Sequence, residues 1–161
     1  MTVAPIVAIE DLAELLQPET RLLGLDVGTK TIGMALSDVT HSIATPYETI
    51  RRTKFTEDVK LIIRATDANK VGAIVIGLPI NLDGSEGPRA QSTRAFARNL
   101  ASRVDLPLVF WDERLSTAAV ERHLINADAS RKRRAEVIDR MAAAYILQGA
   151  LDRLRRLSEI G

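Results

Sequence analysis

Apolar residues follow two rhythms along this chain. Residues 22–27 and 31–38 are short apolar runs flanking Gly28-Thr29-Lys30, which predicts two strands joined as a hairpin. A third strand is expected within residues 42–51, with Pro46 marking an edge or a strand start. The spacing then changes. Val59, Ile62, Ile63 and Thr66 fall on one side of a helix for which Thr56 is a candidate cap. Residues 71–79, VGAIVIGLP, are almost wholly apolar and predict a strand covered on both faces, followed by the turn-forming stretch INLDGSEGP. Pro88 suits the first turn of a second helix with Thr93, Phe96, Ala97 and Leu100 inward. Residues 106–113, LPLVFWDE, predict the fifth strand. Ser116 or Thr117 caps a further helix with Val120, Leu124 and Ala127 inward. A basic linker leads to a last helix over about residues 135–156. Ahead of the first strand, residues 1–20 form an arm with a short helix over 9–16.

Hairpins followed by strand-helix alternation imply a mixed sheet with helices packed on it, an α/β layer fold. Ligands in such sheets lie beyond the carboxyl ends of parallel strands, where Glu113 falls.

A chain of 161 residues with 46% hydrophobic content is the size of one globular domain. It contains no cysteine, which excludes disulfides, thiolate catalysis and cysteine-ligated zinc. His41 and His123 lie in no recognisable nucleophile setting and are expected to be ordinary surface or half-buried residues. The N-terminal stretch carries Glu10, Asp11 and Glu14 without a basic leader, which argues against a secretory signal. No apolar run approaches the roughly 20 residues of a membrane span, so a cytoplasmic protein with no membrane partner is expected. Net charge is only +1. Between Arg114 and Arg140, however, seven basic residues stand against four acidic ones. The Arg131-Lys132-Arg133-Arg134 run would add salt-sensitive affinity for nucleic acid, or else be a solvated connection.

Three carboxylates carry the chemistry. Along the first strand Leu23, Leu25 and Val27 share one face, while Gly24, Asp26 and Gly28 share the other. Asp26 is thus flanked by glycines, which leaves room for a metal ion or a phosphate. Asp139 shares a helix face with Ala142, Ala143 and Ile146, where a lone buried carboxylate is costly unless neutralised, paired or metal-bound. Any one of these acids alone reads as a turn former, a helix-end charge or an ion-pair partner. Two strand-end acids and one inward helix acid meeting at one sheet edge could instead hold two divalent cations about 3.5 to 4 Å apart for phosphodiester cleavage. Oxygen ligands favour Mg²⁺ or Mn²⁺, and two such ions leave a net positive charge for a phosphate.

The ordered segments GLDVGTKTIGMALSD, VIGLPINLDGSEGP and WDERLST, with Asp139 followed by Ala142-Ala143, resemble the YqgF (RuvX) family of Holliday junction resolvase-like bacterial nucleases from Arg21 onward. The resemblance implies a ribonuclease H-like fold, with three antiparallel strands joined to two parallel ones in a five-stranded sheet. It further implies Asp26, Glu113 and Asp139 as the acidic catalytic and metal-binding set. Residues 21–161 would form the nuclease domain, with residues 1–20 outside it. The implied role is 5′-end maturation of pre-16S ribosomal RNA, and junction resolution is the alternative. Implied partners are structured RNA precursors, branched DNA and pre-ribosomal particles, met by a monomer or a homodimer.

Thr29, Lys30, Arg114 and the 131–134 run are candidate substrate contacts, each with a bland counterpart as a turn, an ion-pair partner or a solvated segment. The NLDGSEGP segment is either a loop closing over substrate or a long turn, and Phe110 and Trp111 are expected in the core. Two rivals remain. LDVGTK also looks like the first phosphate loop of actin-like ATPases and sugar kinases, although a second such loop is missing. A non-catalytic nucleic-acid-binding module would have the same fold.

Overall fold

The computed structural model describes residues 5–115 and 131–160, with the side chains at 131–138 and 160 outside the description. The helix expected behind Ser116 or Thr117 lies outside the described residues, as do the side chains of Arg131, Lys132, Arg133 and Arg134.

In chain order the elements are β1 (Ile6–Val7), α1 (Ile9–Leu12) with a short 3₁₀ turn at Ala13–Leu15, β2 (Arg21–Val27), β3 (Thr31–Ser37) and β4 (Ala44–Arg51). After these come α2 (Phe55–Ala68), β5 (Val71–Leu78), α3 (Pro88–Ala101), β6 (Leu108–Asp112), a 3₁₀ turn at Glu113–Leu115, and a long helix, α4 (Arg131–Ile160). The strands form one sheet in the order β1-β6-β5-β2-β3-β4. Strands β2, β3 and β4 are antiparallel, and β5 and β6 join β2 in parallel.

The expected three antiparallel and two parallel strands are therefore present, but the sheet has six strands rather than five. The sixth is the two-residue β1, paired in parallel with β6 at Ile6–Leu108 and Val7–Val109. Without it, the backbone groups on the outer side of β6 would form an open edge. The pairing is bracketed by the Leu108 N–H, which donates to the Pro5 carbonyl at 2.9 Å.

Side-chain alternation divides the core into two layers. Leu23, Leu25, Ile74 and Ile76 face α2 and α3, where Val59, Ile62, Phe96 and Leu100 meet them. Leu22, Val75, Val109 and Trp111 face the other way, onto α4 through Ala143, Ile146, Leu147 and Leu151. Each fully buried Leu or Ile contributes about 1.5–3 kcal/mol relative to exposure.

Two helix starts differ from expectation. Helix α2 begins at Phe55, so Thr56 lies within its first turn and makes no capping bond. Asp58 instead accepts from the Thr53 N–H at 3.1 Å, tying the entering chain to the helix. Helix α4 begins at Arg131, so the basic run belongs to the helix rather than to a linker. Arginine and lysine are good helix formers, and no proline or glycine lies between Arg131 and Gln148.

Candidate active site

Asp26 occupies the penultimate position of β2, on the face turned to α4, and is only 5% exposed. Both neighbouring strands place a glycine beside it. Gly33 of β3 is its direct antiparallel partner. On the other side Leu25 pairs with Ile76, which leaves Gly77 one residue further along β5.

Each glycine carries one of the other two acids. A Cβ atom on Gly33 would lie 2.0 Å from the Asp139 carbonyl oxygen and 3.0 Å from the Asp139 Cβ, so α4 rests directly on this strand. A Cβ atom on Gly77 would come within 3.3 Å of the Glu113 carboxyl carbon. Absence of a side chain at Gly33 lets α4 seat Asp139 against β3, while at Gly77 the Ile146 side chain lies closest, 2.4 Å from that Cβ position, with the Glu113 carboxyl beside it.

The Asp139 carboxylate accepts a hydrogen bond from the Thr31 hydroxyl, two residues along β3 from Gly33. Thr31 thereby orients the acid along the sheet edge. Glu113 stands in the 3₁₀ turn after β6 and is half-buried. Among the described residues, no three His, Asp or Glu side chains stand close enough together to form a metal-holding group. The three acids lie along one edge without closing into a cage.

Thr29 and Lys30 are exposed in the turn that follows β2. Arginines grip that turn from behind. Arg52 donates to the Gly28 carbonyl at 2.6 Å and pairs with the buried Asp58 at 3.7 Å, while its guanidinium lies over the Phe96 ring. Arg89 reaches the Val27 carbonyl at 3.4 Å. Sequence reasoning missed Thr31, Arg52 and Arg89. Only the register of the strands and the placement of α3 bring them to the turn, and no local motif announces them.

Arg114 is paired with Asp112, its guanidinium donating to the carboxylate at 2.7 and 3.1 Å. These bonds hold the Asp112 carboxyl below its ordinary range and raise Arg114. The 80–88 segment is cross-linked by its own hydrogen bonds. Gly84, at φ +90°, donates to the Asn81 carbonyl, and Asp83 accepts from both the N–H and the hydroxyl of Ser85. Glu86 then binds Arg94 through two bonds of 2.6 and 2.8 Å, which lowers the Glu86 carboxyl. Trp111 is buried under α4, and Phe110 receives the Arg94 guanidinium on its ring at 5.0 Å.

The profile of the RuvX family, described as a Holliday junction resolvase, matches residues 20–153. The chain belongs to the RuvX family. It is 62% identical over 148 residues to a relative from Paramagnetospirillum magneticum, covering 92% of this chain and 96% of the relative. It is 59% identical over 154 residues to one from Methylocella silvestris, covering 96% of each. Both relatives bear the description "Putative pre-16S rRNA nuclease". RuvX membership thus carries an enzyme class, hydrolases of phosphodiester bonds. Among solved structures, the RuvX chain is similar in fold to Thermus thermophilus RuvC in complex with a Holliday junction substrate. That match has a TM-score of 0.53 at 11% identity and covers 84% of this chain and 96% of RuvC. It is likewise similar to the yeast mitochondrial Holliday junction resolvase Ydc2, with a TM-score of 0.53 at 12% identity, covering 94% of this chain and 85% of Ydc2. At such identities the likeness shows the fold alone, and that fold is ribonuclease H-like. No described helix is long and apolar enough to cross a membrane.

Proposed function

We propose that this chain is a metal-dependent endonuclease that acts in 5′-end maturation of pre-16S ribosomal RNA. One observation carries the chemistry. Asp26 is flanked by Gly33 and Gly77, and Asp139 and Glu113 pack against those glycines. In this reading residues 21–161 are the nuclease domain, and residues 1–20 are an arm that completes the sheet edge.

The residues suit a hard divalent cation. Their donors are carboxylate oxygens, the ligand type that such an ion prefers. Asp26, Glu113 and Asp139 would hold Mg²⁺ or Mn²⁺, which when bound supplies an activated water and charge stabilisation for phosphodiester hydrolysis. The chain's own residues do the rest. The hydrogen bond from Thr31 aims Asp139, and Arg52 fixes the turn that carries Thr29 and Lys30 toward the substrate backbone. The basic start of α4 adds long-range attraction for a polyanion.

The choice of ribosomal RNA is supported by the descriptions of relatives near 60% identity. The family description favours junction resolution as a second reading, which requires a symmetric dimer because two strands are cut at related positions. Cleavage of precursor rRNA and of a four-way DNA junction, assayed side by side with wild type and Asp26→Asn, separates these readings. We expect metal-dependent cutting of the RNA by wild type and none by Asp26→Asn, with RNA binding kept. Cutting of the junction alone would overturn the substrate, and undiminished cutting by Asp26→Asn would overturn the site.

A further inference from the structure

A second polar feature occupies the same end of the sheet on the opposite face, where Val27 points toward α3. A cavity of about 230 Å³ opens there between the Gly28-Thr29 turn and the first turns of α3. Its lining holds one arginine, Arg89, the hydroxyls of Thr29, Ser92 and Thr93, and no carboxylate.

Three properties of this lining point to an anionic oxygen ligand. First, Pro88 and Arg89 bring the start of α3 to the cavity wall. The leading N–H groups of a helix have no intrahelical acceptor, and the helix dipole favours negative charge there. Second, Thr93 is 2% exposed, and its hydroxyl makes no hydrogen bond among the described residues. The hydroxyl lines the cavity without a protein acceptor, so it is open to water or to a ligand oxygen. Third, Arg89 directs one terminal nitrogen to the Val27 carbonyl, which leaves further donors of its fork for a second acceptor.

Size narrows the ligand. The cavity is smaller than the roughly 300 Å³ at which pockets for drug-sized ligands begin, so it suits a phosphate group rather than a whole nucleotide. Only the turn at Gly28 separates it from the Asp26 face. A nucleic-acid strand crossing the sheet edge can therefore present one phosphate to the acids and a neighbouring one to this cavity.

We propose that the cavity between the Gly28-Thr29 turn and the start of α3 is a subsite for a non-scissile phosphodiester of the substrate backbone. The proposal rests on the nucleic-acid reading above. It assigns Thr93, Arg89 and the helix start as the groups that set where along a strand the acids act.

The test uses ¹⁵N-labelled full-length protein without divalent metal, titrated with inorganic phosphate and, separately, with a short single-stranded RNA bearing hydroxyls at both ends. The amide signals of Gly28, Thr29, Arg89 and Ser92 should move with both probes, and the RNA should displace the phosphate. Thr93→Val, nearly equal in volume, and Arg89→Gln should each weaken RNA binding about tenfold while keeping the wild-type circular dichroism. A neutral methylphosphonate at one position should weaken binding to wild type but not to Thr93→Val. The subsite is refuted if those amides stay still, if both variants bind as wild type does, or if phosphate binds and RNA cannot displace it. Responding amides in a protein that cleaves nothing would uphold the subsite and refute the nuclease reading instead.

Discussion

Gly33 and Asp139 are in backbone contact, so closely that a methyl group on the glycine would stand 2.0 Å from the carbonyl oxygen of the aspartate. The seat of the helix acid beside Asp26 is therefore fixed by the absence of a side chain on β3. Gly33→Ala must push α4 off the sheet. A loss of about 1–3 kcal/mol in denaturant unfolding is expected from such overpacking. Because the displaced element bears Asp139, cleavage should fall far more than the folded fraction does. Equal stability with full activity would show that the helix is not held there.

Metal binding has a readout that does not depend on turnover. A cation that binds only the folded state at a hundred times its Kd raises stability by about 2.7 kcal/mol. Wild type should gain thermal stability with Mn²⁺, while Asp26→Asn and Glu113→Gln should gain little. Chelation with EDTA should reverse the gain and stop cleavage together. An equal gain in all three proteins would place the cation elsewhere.

Arg52 ties the turn at Gly28 to the helix layer below it. Its side chain is 25% exposed, whereas the Asp58 side chain is 2% exposed and in Arg52→Met would lose its charge partner, keeping the bond from the Thr53 N–H. A loss of about 2 kcal/mol is expected, below the range for fully buried pairs because the arginine is partly solvated. Adding Asp58→Leu should return part of that loss. If the double variant is no better than the single one, the hydrogen bond to Gly28 matters more than the ion pair.

Acid should act at a different place. Bonds from the Thr40 hydroxyl and from the Ser42 and Ile43 N–H groups hold Asp38 at about 2, below its ordinary 3.8. A depressed carboxylate contributes stability that is complete above its unfolded value and lost as pH falls through its folded value. The penalty of Asp38→Ala should therefore be full near neutral pH and shrink as the pH falls from about 4 to about 2. A penalty that does not change across that window would assign the effect to packing rather than charge.

Several parts of the molecule were legible in the residue order. Period-two alternation in β2 separated Leu23 and Leu25 from Asp26, and the two faces do pack into different layers. The uninterrupted run of β5 marked a strand buried on both sides, and Pro88 marked the start of α3. These are local signals, set by spacing and backbone chemistry.

Tertiary structure decided what depends on partners distant in the chain. The glycines that matter most beside Asp26 are Gly33 and Gly77 on adjacent strands, whereas the sequence offered only Gly24 and Gly28 on its own. The sixth strand arises because two residues of the arm satisfy the outer backbone groups of β6, a pairing with too little length to leave a pattern. Arg52, Arg89 and Thr31 enter through strand register and the docking of α3. Hydrophobic spacing thus determines which face each side chain takes, while register between remote segments determines which side chains meet.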